Sequence, residues 1–455
     1  MALFRQIKIS LVLLLGYFVC TPVFAGELPP SSEGKLIPYP ANPLVLLISE
    51  AIESNPSVQS QLSMAQMARS GVDGARWQYF PTPIATFQQA HTAKNDPSYQ
   101  GSNRVFLLGL QQPIWTGGKL TAGLNLAENQ LLSALQDLEL SKQEVAIRVS
   151  QAFSSWLGAS QKIRAYEKSA QTHRKLLALI QRRIDQGISP KSDYIFAQGR
   201  LEQVLIELDA AQSQADVALM RLRQLVGMPL AEKDLIGGER ALLSYSEDAE
   251  PLLKMALESN PRILKAKTMV AIQENQISAA KAAPMPVISA QLQRQNGDFS
   301  YTNYVSPVEN RAFISVSTNF GAGLSNYSQI SGAMAKKDSA VSDEELTRRN
   351  ISEQVLSDAV LLKKERYRVK ASHLAYQAAL STTESWGRQF LAGKKAWQDL
   401  LNSARELALS EANLADANAA LMEVNWRLAI ATYGLSAVLD AAFSGPFPSE
   451  KETKK

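Results

Sequence analysis

The chain has 455 residues, of which 45% are hydrophobic and 20% charged, and its formal net charge is +4. This is ordinary globular composition with length enough for a large core, and so nearly balanced a charge gives no reason to expect a nucleic-acid partner. The single cysteine is Cys20, so the chain beyond it holds no disulfide, thiolate metal site or thiol nucleophile.

Residues 1–25 read as a secretory signal peptide. Arg5 and Lys8 form a basic start, Ile9 to Val19 an apolar run too short to span a bilayer comfortably, and Val23-Phe24-Ala25 a cleavage signal before Gly26. Val19 stands before Cys20 where a lipoprotein signal carries Gly or Ala, so no lipid anchor is expected. Beyond residue 25 no apolar run approaches the length of a membrane helix. An exported chain of this kind is periplasmic, secreted or an outer-membrane β-barrel protein. Residues 26–42 read as an extended segment.

The rest is one unit written twice. Ala51-Ile52-Glu53-Ser54-Asn55-Pro56 returns as Ala256-Leu257-Glu258-Ser259-Asn260-Pro261, a shift of 205. At the same shift Pro81 meets Pro286, Trp115 meets Phe320 and Gly118 meets Gly323; later Asp193 meets Asp399 at a shift of 206. Ordered landmarks at a nearly constant offset imply a tandem duplication. The first repeat is taken as 43–227, with a hairpin at 81–115 and a helical hairpin at 118–227. A linker follows at 228–248. The second repeat is 249–434, with a hairpin at 286–320 and a helical hairpin at 323–434, and 435–455 form a C-terminal tail.

Each repeat should begin with one helix, from Pro43 to about Tyr79 in the first. The strands come next. Ile288, Ala290 and Leu292 alternate with Ser289, Gln291 and Gln293; Ala312, Ile314 and Val316 alternate with Ser315 and Ser317. This period places one face in an apolar medium and the other in water. In the first repeat Phe106, Leu108 and Leu110 share a face, but Val105 and Leu107 lie opposite. Strands of this length suit a tilted membrane span. Four cannot close a barrel, since the smallest spanning barrels have about eight, so a spanning sheet requires other chains. Soluble hairpins packed on helices are the other reading.

From about Lys119 to Asp185 there is no proline, and a helix of that length runs on the order of 100 Å. Leu124, Leu131, Leu138 and Val145 keep a seven-residue spacing, and the seam then shifts to Val149, Trp156 and Ile163. After a break near Gly187, Leu201, Val204, Leu208, Ala211, Ala215, Ala218, Leu222 and Leu225 alternate steps of three and four. The second repeat does the same from Leu407 to Ala431. These are coiled-coil seams, alanine-rich and therefore close-packed.

Taken together, these features resemble the TolC family of outer-membrane efflux and secretion channels over about 43–436. Gln112-Pro113-Ile114-Trp115-Thr116-Gly117-Gly118 is similar to the family's strand-to-helix corner. Arg183-Ile184-Asp185-Gln186-Gly187 followed by Asp193 is similar to its first periplasmic tip, and Leu225-Val226-Gly227 to its helix end. The resemblance implies a mainly α fold with a small β part: long coiled-coil helices plus hairpins. Three chains would form a twelve-stranded outer-membrane β-barrel continuous with a periplasmic helical barrel. It implies a homotrimer that docks a periplasmic adaptor (a membrane fusion protein) and an inner-membrane ABC or proton-driven transporter, and that meets outer-membrane lipid. Conduction would be passive, and no cofactor is implied.

By residue matching, the resemblance places a periplasmic gate at Asp399, Asn402, Lys395, Asp193 and Phe390. Asp399 supplies an acidic ring, Asn402 an uncharged second ring, and Lys395 a latch cation facing Asp193. Phe390 stands where a tyrosine is common. Gly187, Ile188, Gly393 and Lys394 become the adaptor-docking tips. Asp193 and Asp399 also fit simple helix caps. No catalytic pattern is present: Gly118-Lys119 lacks the flanking residues of a P-loop, and His91, His173 and His373 show no ligand spacing and are expected at the surface. A periplasmic coiled-coil adaptor without a pore is the alternative, and an adaptor should carry β-rich segments flanking a single helical hairpin.

Overall fold

The computed structural model describes residues 42–91, 102–237, 242–297 and 308–444. The expected signal peptide, most of the extended segment after it, the hairpin loops and the end of the tail lie outside them.

Helix α1 (Pro43–Ser54) begins with Asn42, whose Oδ1 accepts from the Leu44 N–H at 3.1 Å. Helix α2 (Pro56–Trp77) begins the same way, Asn55 Oδ1 accepting from the Ser57 N–H at 3.0 Å. Each cap is followed by proline at the first helical position, where the missing N–H goes unneeded. The single helix expected over 43–79 is therefore two. Asn55 is extended (φ −71°, ψ 126°), and Pro56 has no N–H with which to continue α1.

Strands β1 (Thr82–Gln89) and β2 (Arg104–Trp115) follow, then the long helices α3 (Lys119–Asp185) and α4 (Lys191–Val226). After a 3-10 turn at Glu232–Leu235, the second repeat supplies α5 (Ala249–Ser259), α6 (Pro261–Ala282), β3 (Val287–Asn296), β4 (Val308–Ser317), α7 (Asn326–Leu391) and α8 (Trp397–Tyr433). The chain beyond 434, expected as a tail, adds α9 (Leu435–Ser444), which packs on α8 and α1. Its leading residues Leu435 and Val438 join the core.

The repeated Ser-Asn-Pro motif makes a splice between helices. Ser54 Oγ donates to Val226 O at 2.7 Å and Asn55 Nδ2 to Leu225 O at 3.2 Å, so the last carbonyls of α4 are satisfied by the residues that start α2. In the second repeat Ser259 Oγ donates to Thr432 O and Asn260 Nδ2 to Ala431 O, both at 3.2 Å, which joins α8 to α6. Asn260 also caps α6 through the Arg262 N–H. A single asparagine thus serves the end of one helix and the start of the next, which explains why six residues echo across 205 positions.

The long helices lie side by side in the order α4, α3, α8, α7; beyond the splices the order becomes α2, α3, α6, α7. The coiled-coil seams face inward: Leu201, Val204, Ala211, Ala215, Ala218 and Leu222 are buried, as are Ala417, Leu421, Val424 and Leu428. The largest core surrounds Trp426 and Phe153 near the splices, where α1, α3, α4 and α8 meet. The segment before α5 is tied down there by Asn425, whose Oδ1 accepts from the Leu243 N–H at 2.8 Å and whose Nδ2 donates to Leu243 O at 3.0 Å.

One histidine departs from expectation. His173 is buried at 1% exposure, its Nδ1 lying 2.9 Å from Ser169 O. A carbonyl only accepts, so Nδ1 carries the hydrogen. Burial is the main cause that lowers its pKa from 6.5, with Ser169 opposing and Arg200 adding to the depression. The sign follows by linkage. The unfolded chain takes up this proton first, so the stability His173 contributes is complete above pH 6.5 and is lost as pH falls below it. His173→Gln should flatten that slope in thermal melts recorded across the range; an unchanged slope would remove His173 from the account.

Candidate functional site

Two parts of the fold are arranged for function: the sheet at one end and the helical turns at the other. The strands form one antiparallel sheet in the order β1-β2-β3-β4. Register pairs Leu110 with Leu292, Leu292 with Ala312, Ala290 with Ile314 and Phe87 with Phe106. One face is therefore apolar. The other carries Gln111, Ser289, Gln291, Gln293 and Gln295, linked by bonds such as Gln111 Nε2 to Ser289 Oγ at 3.4 Å. Burial is the reverse of a soluble sheet: Ile314 is 69% exposed and Leu292 57%, while Ser289 is buried at 3%. Val105, Leu107 and Phe313 interrupt the polar face.

The corner from β2 into α3 depends on glycine. Gly117 has φ 62°, and a Cβ there would collide with Met285 at the start of the second hairpin.

At the opposite end α3 turns into α4 and α7 into α8 by the same device. Gly187 (φ 72°) and Gly393 (φ 71°) sit in the left-handed region. The Gly187 N–H donates to Ile184 O and the Ile188 N–H to Arg183 O; Gly393 and Lys394 donate to Phe390 O and Gln389 O in the same pattern. This pair of bonds closes a helix C-terminus. Ile188 is 60% exposed, and Lys394 is exposed beside its turn. Side chains of both hairpins pack behind the turns: Ile180, Ala197, Trp397, Leu400 and Leu401, with Trp386 and Phe390 against them. Phe196 meets Trp397 edge-on at 5.9 Å.

Lys395 reaches two partners. Its Nζ is 3.4 Å from Asp399 Oδ2 and 4.1 Å from the centre of the Trp386 ring. Asp193 makes no ion pair among the described residues, so within one protomer the structure brings Lys395 to Asp399 and not to Asp193. Asp193 and Asp399 occupy the first turns of α4 and α8, whose caps, Pro190 and Ala396, have no side-chain cap bond. The carboxylates lie near the positive helix ends without capping them. Asn402 is exposed and Phe390 half-buried. Sequence reasoning missed Trp386 and Trp397. Their only signal is an aromatic residue at each flank of the turn.

Among the described residues no group of His, Cys, Asp or Glu side chains is placed to hold a metal, and no helix is long and apolar enough to cross a membrane. An exposed apolar sheet face is thus joined to long paired helices. Residues 47–228 match the family model "Outer membrane efflux protein". The chain is 24% identical over 280 residues to Protein CyaE of Bordetella pertussis, and 23% identical over 251 residues to the alkaline protease secretion protein AprF of Pseudomonas aeruginosa. These matches cover 60% and 52% of this chain and 59% and 52% of those proteins, so the chain spans little more than half the length of the curated relatives it matches. The structure of the outer-membrane channel OprN superposes with a TM-score of 0.73 at 17% identity, over 86% of this chain and 90% of that one. The fold over most of this chain is therefore shared with a solved outer-membrane channel.

Proposed function

We propose that three copies of this chain form a passive exit duct in the outer membrane, fed by an inner-membrane ABC or proton-driven transporter through a periplasmic adaptor. The observation that carries this reading is the open sheet. β1 and β4 each have one neighbour among the described residues, and the apolar face is exposed. Unpaired backbone groups in lipid cost several kcal/mol each. Strand direction alternates across the sheet, so β4 of one copy can pair antiparallel with β1 of the next, and three copies of four strands give twelve. The helices have matching open edges: α4 exposes Ile206 and Met220, and α7 exposes Val360 and Leu374. Closing both edges by one rotation is the economical solution for a heterologous interface. The detergent-solubilised protein should weigh three chains and fractionate with the outer membrane. A stable monomer, or recovery with soluble periplasmic proteins, would reject the reading.

The helical turns are the gate and docking end in this reading. Gly187, Ile188, Gly393 and Lys394 offer close backbone approach and exposed side chains to an adaptor. Asp399, in three copies about a narrow axis, makes a ring of negative potential that attracts cations. Lys395 is held back by Asp399 and Trp386 in the protomer. Asp399→Ala therefore removes a negative charge and frees a positive one, and both changes act in the same direction. Cation preference in planar-bilayer recordings should fall while trimer yield is unchanged, since such exposed pairs contribute only about 0–1 kcal/mol. Unchanged selectivity with a lower melting temperature would leave Asp399 a helix-end charge and nothing more. For cargo, the likeness to AprF, an alkaline protease secretion protein, favours an exported protein.

A further inference from the structure

The two helical turns carry an excess of positive charge that the gate leaves unused. Within six residues of Gly187 and Gly393 lie six Lys and Arg side chains and three Asp. That is a net +3 in a chain whose whole net charge is +4. Lys395 is matched by Asp399 at 3.4 Å. Asp185 accepts from Gln181 Nε2 at 2.9 Å, not from a cation. The other five cations, Arg182, Arg183, Lys191, Arg388 and Lys394, are exposed, and none makes an ion pair among the described residues.

Local structure accounts for three of the five. Arg182 and Arg183 end α3 and Arg388 ends α7, where a cation complements the negative end of a helix. It does not account for the other two. Lys191 opens α4 and Lys394 lies just before α8, beside positive helix ends that favour carboxylates. Two apolar side chains stand among these charges, Ile188 at 60% exposure and Leu391 at 81%. The turns are neighbours, because side chains of both hairpins pack in one cluster behind them. Apolar side chains ringed by cations have the make-up of an interface centre with a charged rim. Like charges repel, so the same turns on a second copy are not the complement.

We propose that the turns dock an adaptor whose contacting end is acidic, with carboxylates facing the unpaired cations and an apolar notch receiving Ile188 and Leu391. The inference rests on the exit-duct reading, which puts the adaptor at this end. Charge steers the encounter and sets which adaptor is accepted, and apolar burial holds it.

The test uses the full-length trimer in detergent and two synthetic helical-hairpin peptides. One carries glutamates around a leucine at its turn, and the other carries lysines at the same positions. At low salt the glutamate peptide should associate with wild type about tenfold faster, an advantage that shrinks as salt rises. Arg183→Glu/Lys394→Glu should abolish or reverse the preference. Lys336→Glu, exposed near the sheet end of α7, should keep it. Equal association of the two peptides with wild type overturns the proposal, even where the double variant fails to assemble. So does a preference that the double variant retains, or one that Lys336→Glu loses. Equally fast binding of phosphatidylglycerol vesicles overturns it too, since that would mean a general anion surface. A failure of the duct reading is distinguishable: the purified protein would weigh one chain, or be missing from outer-membrane fractions, before any peptide is added.

Discussion

Asp358→Ala is expected to destabilise the folded chain by about 3–5 kcal/mol, the range for breaking one partner out of a buried ion pair. Asp358 lies in α7 at 4% exposure. Arg427, from α8, meets it with both arms of the guanidinium: Nη2 to Oδ1 at 2.6 Å and Nε to Oδ2 at 3.0 Å. Glu423 accepts from Arg427 Nη1 at 3.3 Å and from Gln151 Nε2 of α3 at 3.2 Å, so the network links three of the four long helices. Asp358 holds the guanidinium pKa above its usual value. Alanine would leave that cation half-covered with only Glu423 to answer it, and would open a gap in the α7–α8 seam. Asp358→Asn should cost less, because the amide oxygen still accepts one bond. Denaturant or thermal unfolding of the assembled protein gives the measurement. A shift below about 0.5 kcal/mol, the scale of ordinary surface changes, would mean the network has no structural weight.

Ile314→Arg should block assembly, at a cost of about 2–4 kcal/mol for a cation on the lipid face near the midplane. Ile314 stands on the exposed apolar face opposite Ala290, one row from Leu292. Ser315→Arg is the control. Its neighbour Ser289 lies on the polar face, where an arginine meets water and glutamine side chains. The expected result is lost trimer for the first and normal trimer for the second in outer-membrane fractions. Equal tolerance would mean that the apolar face does not meet lipid.

These positions were readable from sequence because strand alternation is a local property: once Ile314 and Ser315 point apart, only the partner's phase remains to be found. The Ser-Asn-Pro echo was legible as a repeat, but its purpose was not, because the accepting carbonyls of Val226 and Thr432 lie about 170 residues away. The break at Asn55 was missed since apolar spacing continues across it, while the backbone obeys the missing N–H of Pro56. His173 was misplaced for a different reason. Whether a polar residue on a long helix is covered depends on which neighbouring helix lies alongside and at what height, and a coiled-coil period does not encode that. The tip glycines are the opposite case: a left-handed residue after a long helix is a local requirement, and both were found.

The two splices have a mechanical consequence. α3 and α7 run unbroken from the strand corners to the turns, so a force applied at the turns reaches the sheet through them along continuous covalent backbone. α4 and α8 carry the same load only as far as residues 226 and 433, where side-chain hydrogen bonds from Ser54, Asn55, Ser259 and Asn260 take over. Each hairpin is thus a stiff strut beside a jointed one. Under tension or torsion the jointed member yields first, pivoting about the strut, and the strut alone carries the load on to the sheet.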